Sequence, residues 1–227
     1  MKRVTRRCVY CGESATTRDH VPAKRLLEEP LPPNLRTVPS CEGCNIAYGR
    51  DEEYLIAFLA HIGSTEALNA KVEEGGKVSK ALDRPKARGF SEKIDSAVRL
   101  DDDGRPYIEA DINAIARIVK KVAFGLHCTD YPRHRNRPKL DQFEVIAIEP
   151  ITQCAKTLGM MMNTRFQPRR WQSLQPKVFS YMFLRNAIGT NRGDFICLMK
   201  FHETLAAAVK CPAGRREADH KLNREQE

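Results

Sequence analysis

Cys8-Val9-Tyr10-Cys11-Gly12 and Cys41-Glu42-Gly43-Cys44-Asn45 decide how the front of this chain folds. Each is a C-x-x-C turn that points two sulfurs at one spot. Two such turns complete a tetrahedron around Zn²⁺. Gly12 permits the tight turn the first knuckle needs. The 29 residues from Gly12 to Ser40 exceed the roughly 15–20 of an ordinary zinc ribbon. Something is therefore inserted between the knuckles. A redox C-x-x-C is the alternative, but that chemistry uses one pair in a βαβ setting, not two in a loop-rich stretch. Four thiolates leave no open coordination position, so this metal is structural and any chemistry comes from elsewhere.

The other four cysteines, Cys128, Cys154, Cys197 and Cys211, are scattered singly. The last three lie in apolar surroundings and read as buried thiols. Met1 to Arg7 are followed by no apolar leader core, so a reducing cytoplasm is the expectation. Paired cysteines there point to metal rather than disulfides. No apolar run reaches 18 residues, so no membrane span is expected. Lys and Arg number 38 against 29 Asp and Glu, a net charge of +9, which fits a polyanionic partner.

Residues 1–50 are rich in Cys, Pro, Arg and Thr, as in a small module fixed by something other than a large core. Leu55, Phe58, Leu59 and Ile62 form one helical stripe ended by Gly63. Residues 71–96 read as a linker. Asp101-Asp102-Asp103-Gly104 joins short runs at Val98–Leu100 and Tyr107–Glu109 into a hairpin. The clearest helix starts near Asp111. Ile112, Ile115, Ala116, Val119, Val122, Ala123 and Leu126 share one face, and Asn113, Arg117, Lys120 and Lys121 the other. His127-Cys128 reads as its end. Strands are expected at 143–148, 178–184, 194–201 and 205–209. Residues 212–227 read as a charged, disordered tail. The expected fold class is α+β: a metal module over 1–70, then an α+β accessory region over 97–211.

Between and beside the knuckles lie Asp19-His20-Val21-Pro22, Asn34 and Asn45. Phosphodiester hydrolysis needs a base for water and a hard cation for the charge on phosphate and leaving oxygen. Histidine is the natural base near neutral pH. Asp and Asn oxygens suit Mg²⁺ or Mn²⁺. With Cys8-Val9-Tyr10-Cys11, Thr17-Arg18-Asp19-His20-Val21-Pro22 and Asn34 through Asn45, the chain resembles a zinc-containing HNH (ββα-metal) endonuclease over about residues 8–60.

That resemblance implies a β-hairpin and helix packed around a catalytic metal. Asp19 and His20 would lie on the first strand and Asn34 in the connecting loop. Asn45 would begin the helix that continues through Asp51, Glu52 and Glu53. His20 would be the base, Asp19 and Asn45 would hold Mg²⁺ or Mn²⁺, and Asn34 would orient His20. Arg18, Lys24 and Arg50 are candidate contacts to nucleic acid. Many members carry a His or Lys shortly after the last cysteine, and this chain does not. Asp51 or Glu52 would reach the metal from the next turn, or else form a solvated helix face.

DNA is the expected partner, with RNA open. A homodimer or partner protein is a further possibility, since a double-strand cut needs two sites. The rival reading is a zinc-ribbon module that binds nucleic acid without cutting it. A zinc deaminase fits Pro39-Ser40-Cys41-x-x-Cys44 but needs an H-x-E motif, which His20-Val21-Pro22 lacks. The basic loop Tyr131–Lys139 and Arg169-Arg170-Trp171 each read as a nucleic-acid contact or as ordinary surface and core.

Overall fold

Alternation of polar and apolar residues forms the first element, a two-stranded antiparallel ribbon. In this computed structural model β1 (Thr17–Val21) pairs with β2 (Arg36–Ser40), Thr17 opposite Ser40 and Val21 opposite Arg36. Asp19, Val21, Val38 and Ser40 are buried, whereas Arg18 is exposed and His20, Thr37 and Pro39 are half-buried. The ribbon therefore has an inner and an outer face, set by the period of two. The structure describes residues 6–62, 96–100, 102–104, 106–132, 138–152, 166–167, 170–186 and 194–212. The expected linker and the charged tail lie outside the described residues, but for Ser96 and Pro212. Cys154, Arg169 and the middle of the basic loop are also outside them.

Two helices follow the ribbon, α1 (Glu42–Ala47) and α2 (Gly49–Ile62). Cys41 is the N-cap of α1, its sulfur accepting from the Cys44 N–H. The helix thus starts before Asn45 rather than at it, because the second knuckle supplies the cap. Tyr48 closes α1 and separates it from α2. β3 (Val98–Leu100) and β4 (Pro106–Ile108) form the expected hairpin, with Gly104 at φ +74° in its turn.

The longest described helix is α3 (Ile112–Asp130). Asp111 caps it, accepting from the Ala114 N–H at 3.1 Å, as its position before the periodic run predicts. His127 and Cys128 are buried inside its last turns. The sheet that follows has β5 (Glu144–Pro150), β6 (Phe166–Gln167), β7 (Gln172–Gln175), β8 (Phe179–Asn186), β9 (Phe195–Phe201) and β10 (Leu205–Cys211). Its order is β5-β10-β9-β8-β6, with β7 also on β8, and every pairing is antiparallel.

α3 packs on β5 and β10, on the β1–β2 ribbon and along α2. One buried cluster runs from Val21 and Val38 through Leu55, Ile118 and Phe124 to Phe179 and Val209. The metal module and the accessory region thus share a core. No helix among the described residues is long and apolar enough to cross a membrane.

α3 and the ribbon touch closely at Gly125. A Cβ there would lie 2.6 and 2.9 Å from the two γ-methyls of Val21. Gly125→Ala is expected to destabilise the fold by about 1–3 kcal/mol, as overpacking does. Urea denaturation checks this; an unchanged or raised midpoint would mean that the ribbon does not seat on α3.

Candidate metal centre and the ribbon beside it

The first knuckle is a loop hung on β2. Gly12 N–H donates to Cys8 C=O at 2.9 Å, Val9 N–H to Pro39 C=O at 3.0 Å and Thr16 N–H to Ser40 C=O at 3.1 Å. Gly12 has φ +82°, the left-handed conformation that glycine adopts freely. These bonds carry Cys8 and Cys11 to the N-terminus of α1, where Cys41 and Cys44 sit. The sulfurs of all four lie within 4.8 Å of one another, and those of Cys11 and Cys41 are 3.6 Å apart. A tetrahedral zinc with Zn–S near 2.3 Å places its sulfurs about 3.8 Å apart.

The four cysteines are therefore positioned to bind a metal ion, and the donor set fits zinc. Burial acts to raise the Cys8 thiol, but backbone N–H groups of Cys11, Cys41 and Tyr10 outweigh it and bring it down to about 6. Burial and hydrogen bonds with the neighbouring sulfurs push Cys44 up. Such conflict among thiols is what a bound cation resolves, since it holds all of them as thiolates.

Asp19 and His20 are neighbours in β1 and therefore face opposite sides of the ribbon. Asp19 points inward and is 5% exposed. Its Oδ2 accepts from the Tyr10 hydroxyl at 2.8 Å and lies 2.8 Å from Lys121 Nζ. Lys121 also donates to Glu52 at 2.7 Å, and its ammonium stands 4.8 Å from the Tyr48 ring centre. Arg25 reaches Glu52 at 3.3 Å and Glu53 at 2.8 Å. Burial raises the Glu52 carboxyl despite Lys121 and Arg25.

This cluster corrects two sequence expectations. Lys121, grouped by spacing with Asn113, Arg117 and Lys120 on the polar face of α3, is buried against Asp19 and Glu52, while Asn113 and Arg117 stay exposed. Glu52 is neither a free ligand nor a solvated helix residue. Asp51 also has a partner: Arg117 grips it with two hydrogen bonds of 2.7 and 2.9 Å. Among the described residues, the four cysteines are the only cluster of three or more His, Cys, Asp or Glu that could hold a metal.

Lys121→Met would leave Asp19 and Glu52 buried without their shared ammonium. The expected loss is about 3–5 kcal/mol, the cost of breaking a buried pair from one side. Adding Asp19→Asn and Glu52→Gln should recover part of it, because the unpaired charges are then gone. Equal stability of Lys121→Met and the parent in urea would show that the cluster is not buried as described.

The outer face of the ribbon carries His20, half-buried, with Arg18 exposed beside it. Arg18 Nε donates to Thr37 Oγ1 at 2.8 Å, and Thr37 is the cross-strand partner of His20. Lys24 is exposed on the short 3-10 turn Lys24–Leu26. Burial first, and then Lys24, lower the His20 pKa below its usual 6.5. Asn34 is exposed in the connecting loop, two residues before β2. Asn45 is half-buried on α1 and Arg50 is exposed at the start of α2.

Sequence reading missed Arg25 and Tyr10. Tyr10 sits inside the first C-x-x-C, and its hydroxyl is what ties that knuckle to Asp19. Trp171 is half-buried against the second apolar cluster, with Lys200 Nζ 4.5 Å from its ring centre. Cys197 and Cys211 are fully buried and burial raises both thiols, as their apolar surroundings predict.

The class these observations define is a mixed α+β chain with antiparallel sheets and a four-cysteine metal-binding cluster at its front. Comparison of the chain with family models, curated proteins and solved structures found no match.

Proposed function

We propose that this chain is an endonuclease that hydrolyses DNA phosphodiester bonds, with structural zinc in the four-cysteine cluster and His20 as the base. The observation that carries the reading is the outer face of the ribbon. His20 stands there with Arg18 exposed beside it, and burial and then Lys24 lower its pKa. A neutral imidazole can take a proton from water, and cations beside it draw in phosphate. The HNH resemblance and the order of two strands then a helix support the same reading. Asn34 stands at the end of the ribbon nearest His20, where it would orient the ring.

A divalent cation, Mg²⁺ or Mn²⁺, would supply charge stabilisation on the phosphate and the leaving oxygen. Asp19 does not fit as its ligand while it holds Lys121 and Tyr10, so the reading rests on His20 and not on Asp19. Asn45 is the remaining oxygen donor of the expected pair.

Activity that depends on neutral His20 is expected to rise with pH. Its midpoint should lie below 6.5, because the imidazole stays unprotonated to lower pH than usual. Lys24→Gln removes a nearby positive charge and should move the midpoint upward. Rate–pH profiles of the two proteins check this, and coincident midpoints would argue against His20 as the titrating group. The function itself is tested by incubating plasmid with zinc-loaded protein and Mg²⁺, Mn²⁺ or EDTA. Cutting that needs the divalent ion supports the proposal.

The second reading, a zinc-stapled module that binds nucleic acid without cutting it, is favoured by one observation. The carboxylate expected to hold the catalytic metal is committed to Lys121. Binding without any cleavage of plasmid, single-stranded or branched DNA would select it.

A further inference from the structure

Between the first knuckle and α3 lies an open cavity of about 710 Å³. Small-molecule sites run roughly 300–1,000 Å³. Tyr10 lines it and its hydroxyl reaches Asp19, so the cavity lies on the inner side of the ribbon, away from His20. Val9, Tyr48, Pro138 and Leu140 give it apolar walls. Arg7, Arg117, Lys120 and Lys139 give it cations, and Asp141 is the one acidic lining residue.

These cations are not equally engaged. Arg117 is held by Asp51, and Arg7 donates to Gly12 C=O at 3.1 Å. Lys120 donates to the Asp141 carbonyl, at 3.5 Å. Among the described residues, neither Lys120 nor Lys139 pairs with a carboxylate. Two lysines with no carboxylate partner among the described residues, lining an apolar, tyrosine-walled cleft, have a defined complement. The ammonium groups suit phosphate, and the walls suit a planar ring.

We infer that this cavity binds a nucleoside phosphate, its base against Tyr48 and Leu140 and its phosphate at Lys120 and Lys139. The inference does not depend on the endonuclease reading, because no residue of the His20 face takes part. The same chemistry comes from a free nucleotide or from the terminal nucleotide of a strand.

Isothermal titration of the full zinc-loaded chain tests it. The probes are deoxyadenosine monophosphate, deoxyadenosine, inorganic phosphate, and a tetranucleotide with or without a terminal phosphate. The monophosphate is expected to bind at least about tenfold more tightly than the nucleoside or phosphate alone. Lys120→Gln with Lys139→Gln should weaken it by at least about tenfold. Lys177→Gln with Lys210→Gln, cations elsewhere on the surface, should leave it unchanged. Circular dichroism of both double variants confirms that they are folded.

Tighter binding of the phosphorylated tetranucleotide would assign a strand end, and tighter binding of the monophosphate a free nucleotide. Either supports the site. Failure of both to bind would overturn it. So would phosphate alone binding as tightly as the nucleotide, or equal binding by the Lys120–Lys139 variant.

Discussion

Stripping the metal from the purified chain, or replacing Cys41 with Ser, is expected to unfold its front and lower the melting midpoint by roughly 10–20 °C. The segment from Arg6 to Thr16 contributes one fully buried apolar residue, Cys8, with Val9 and Tyr10 partly buried against the core; two backbone hydrogen bonds to β2 and the Tyr10 hydroxyl on Asp19 complete its attachment. That is little apolar burial for eleven residues, so the metal carries much of the segment's attachment. Small zinc-dependent folds draw about 10–16 kcal/mol from the ion. Even about 5 kcal/mol lost from a chain of 227 residues corresponds to roughly 10–20 °C.

Cys41→Ser leaves α1 a cap, because a serine hydroxyl can accept from the same Cys44 N–H, so the variant reads the loss of a metal ligand. Elemental analysis should find one zinc per chain, since four thiolates close a single tetrahedral site. Limited proteolysis of the stripped protein should cut first near the first knuckle. Metal-free chain that melts with the loaded protein would refute a structural ion.

The elements that local pattern controls were legible in the sequence, and those that depend on distant partners were not. Asp111 as a cap, the apolar stripe of α3, the Gly104 turn and the strands β5, β8, β9 and β10 follow from local pattern and turn chemistry, whereas the short β6 and β7 do not. The four cysteines were legible because C-x-x-C brings each pair together whatever the rest of the chain does. The order of the sheet was not, since nothing local tells β5 to pair with β10.

Lys121 was misread for the same reason. Its position on the helix is polar by period, but α2 and the ribbon cover it, and its partners Glu52 and Asp19 are far away in sequence. Burial of those carboxylates is a property of packing, so the chemistry expected of Asp19 was not visible as a conflict until the fold placed a lysine against it. His20 is different. Its outward direction follows from the alternation along β1 once Asp19 is known to face in.

As proposed, His20 on the outer face of the ribbon takes a proton from water during DNA cleavage. The most direct test is the single-turnover rate of plasmid cutting by the parent protein and by His20→Ala, at equal zinc content and saturating Mg²⁺ or Mn²⁺. General-base catalysis contributes about 10²–10⁴-fold, so the variant is expected to be slower by at least about a hundredfold while melting at the same temperature. Cutting at the same rate by both proteins would contradict the assignment of His20.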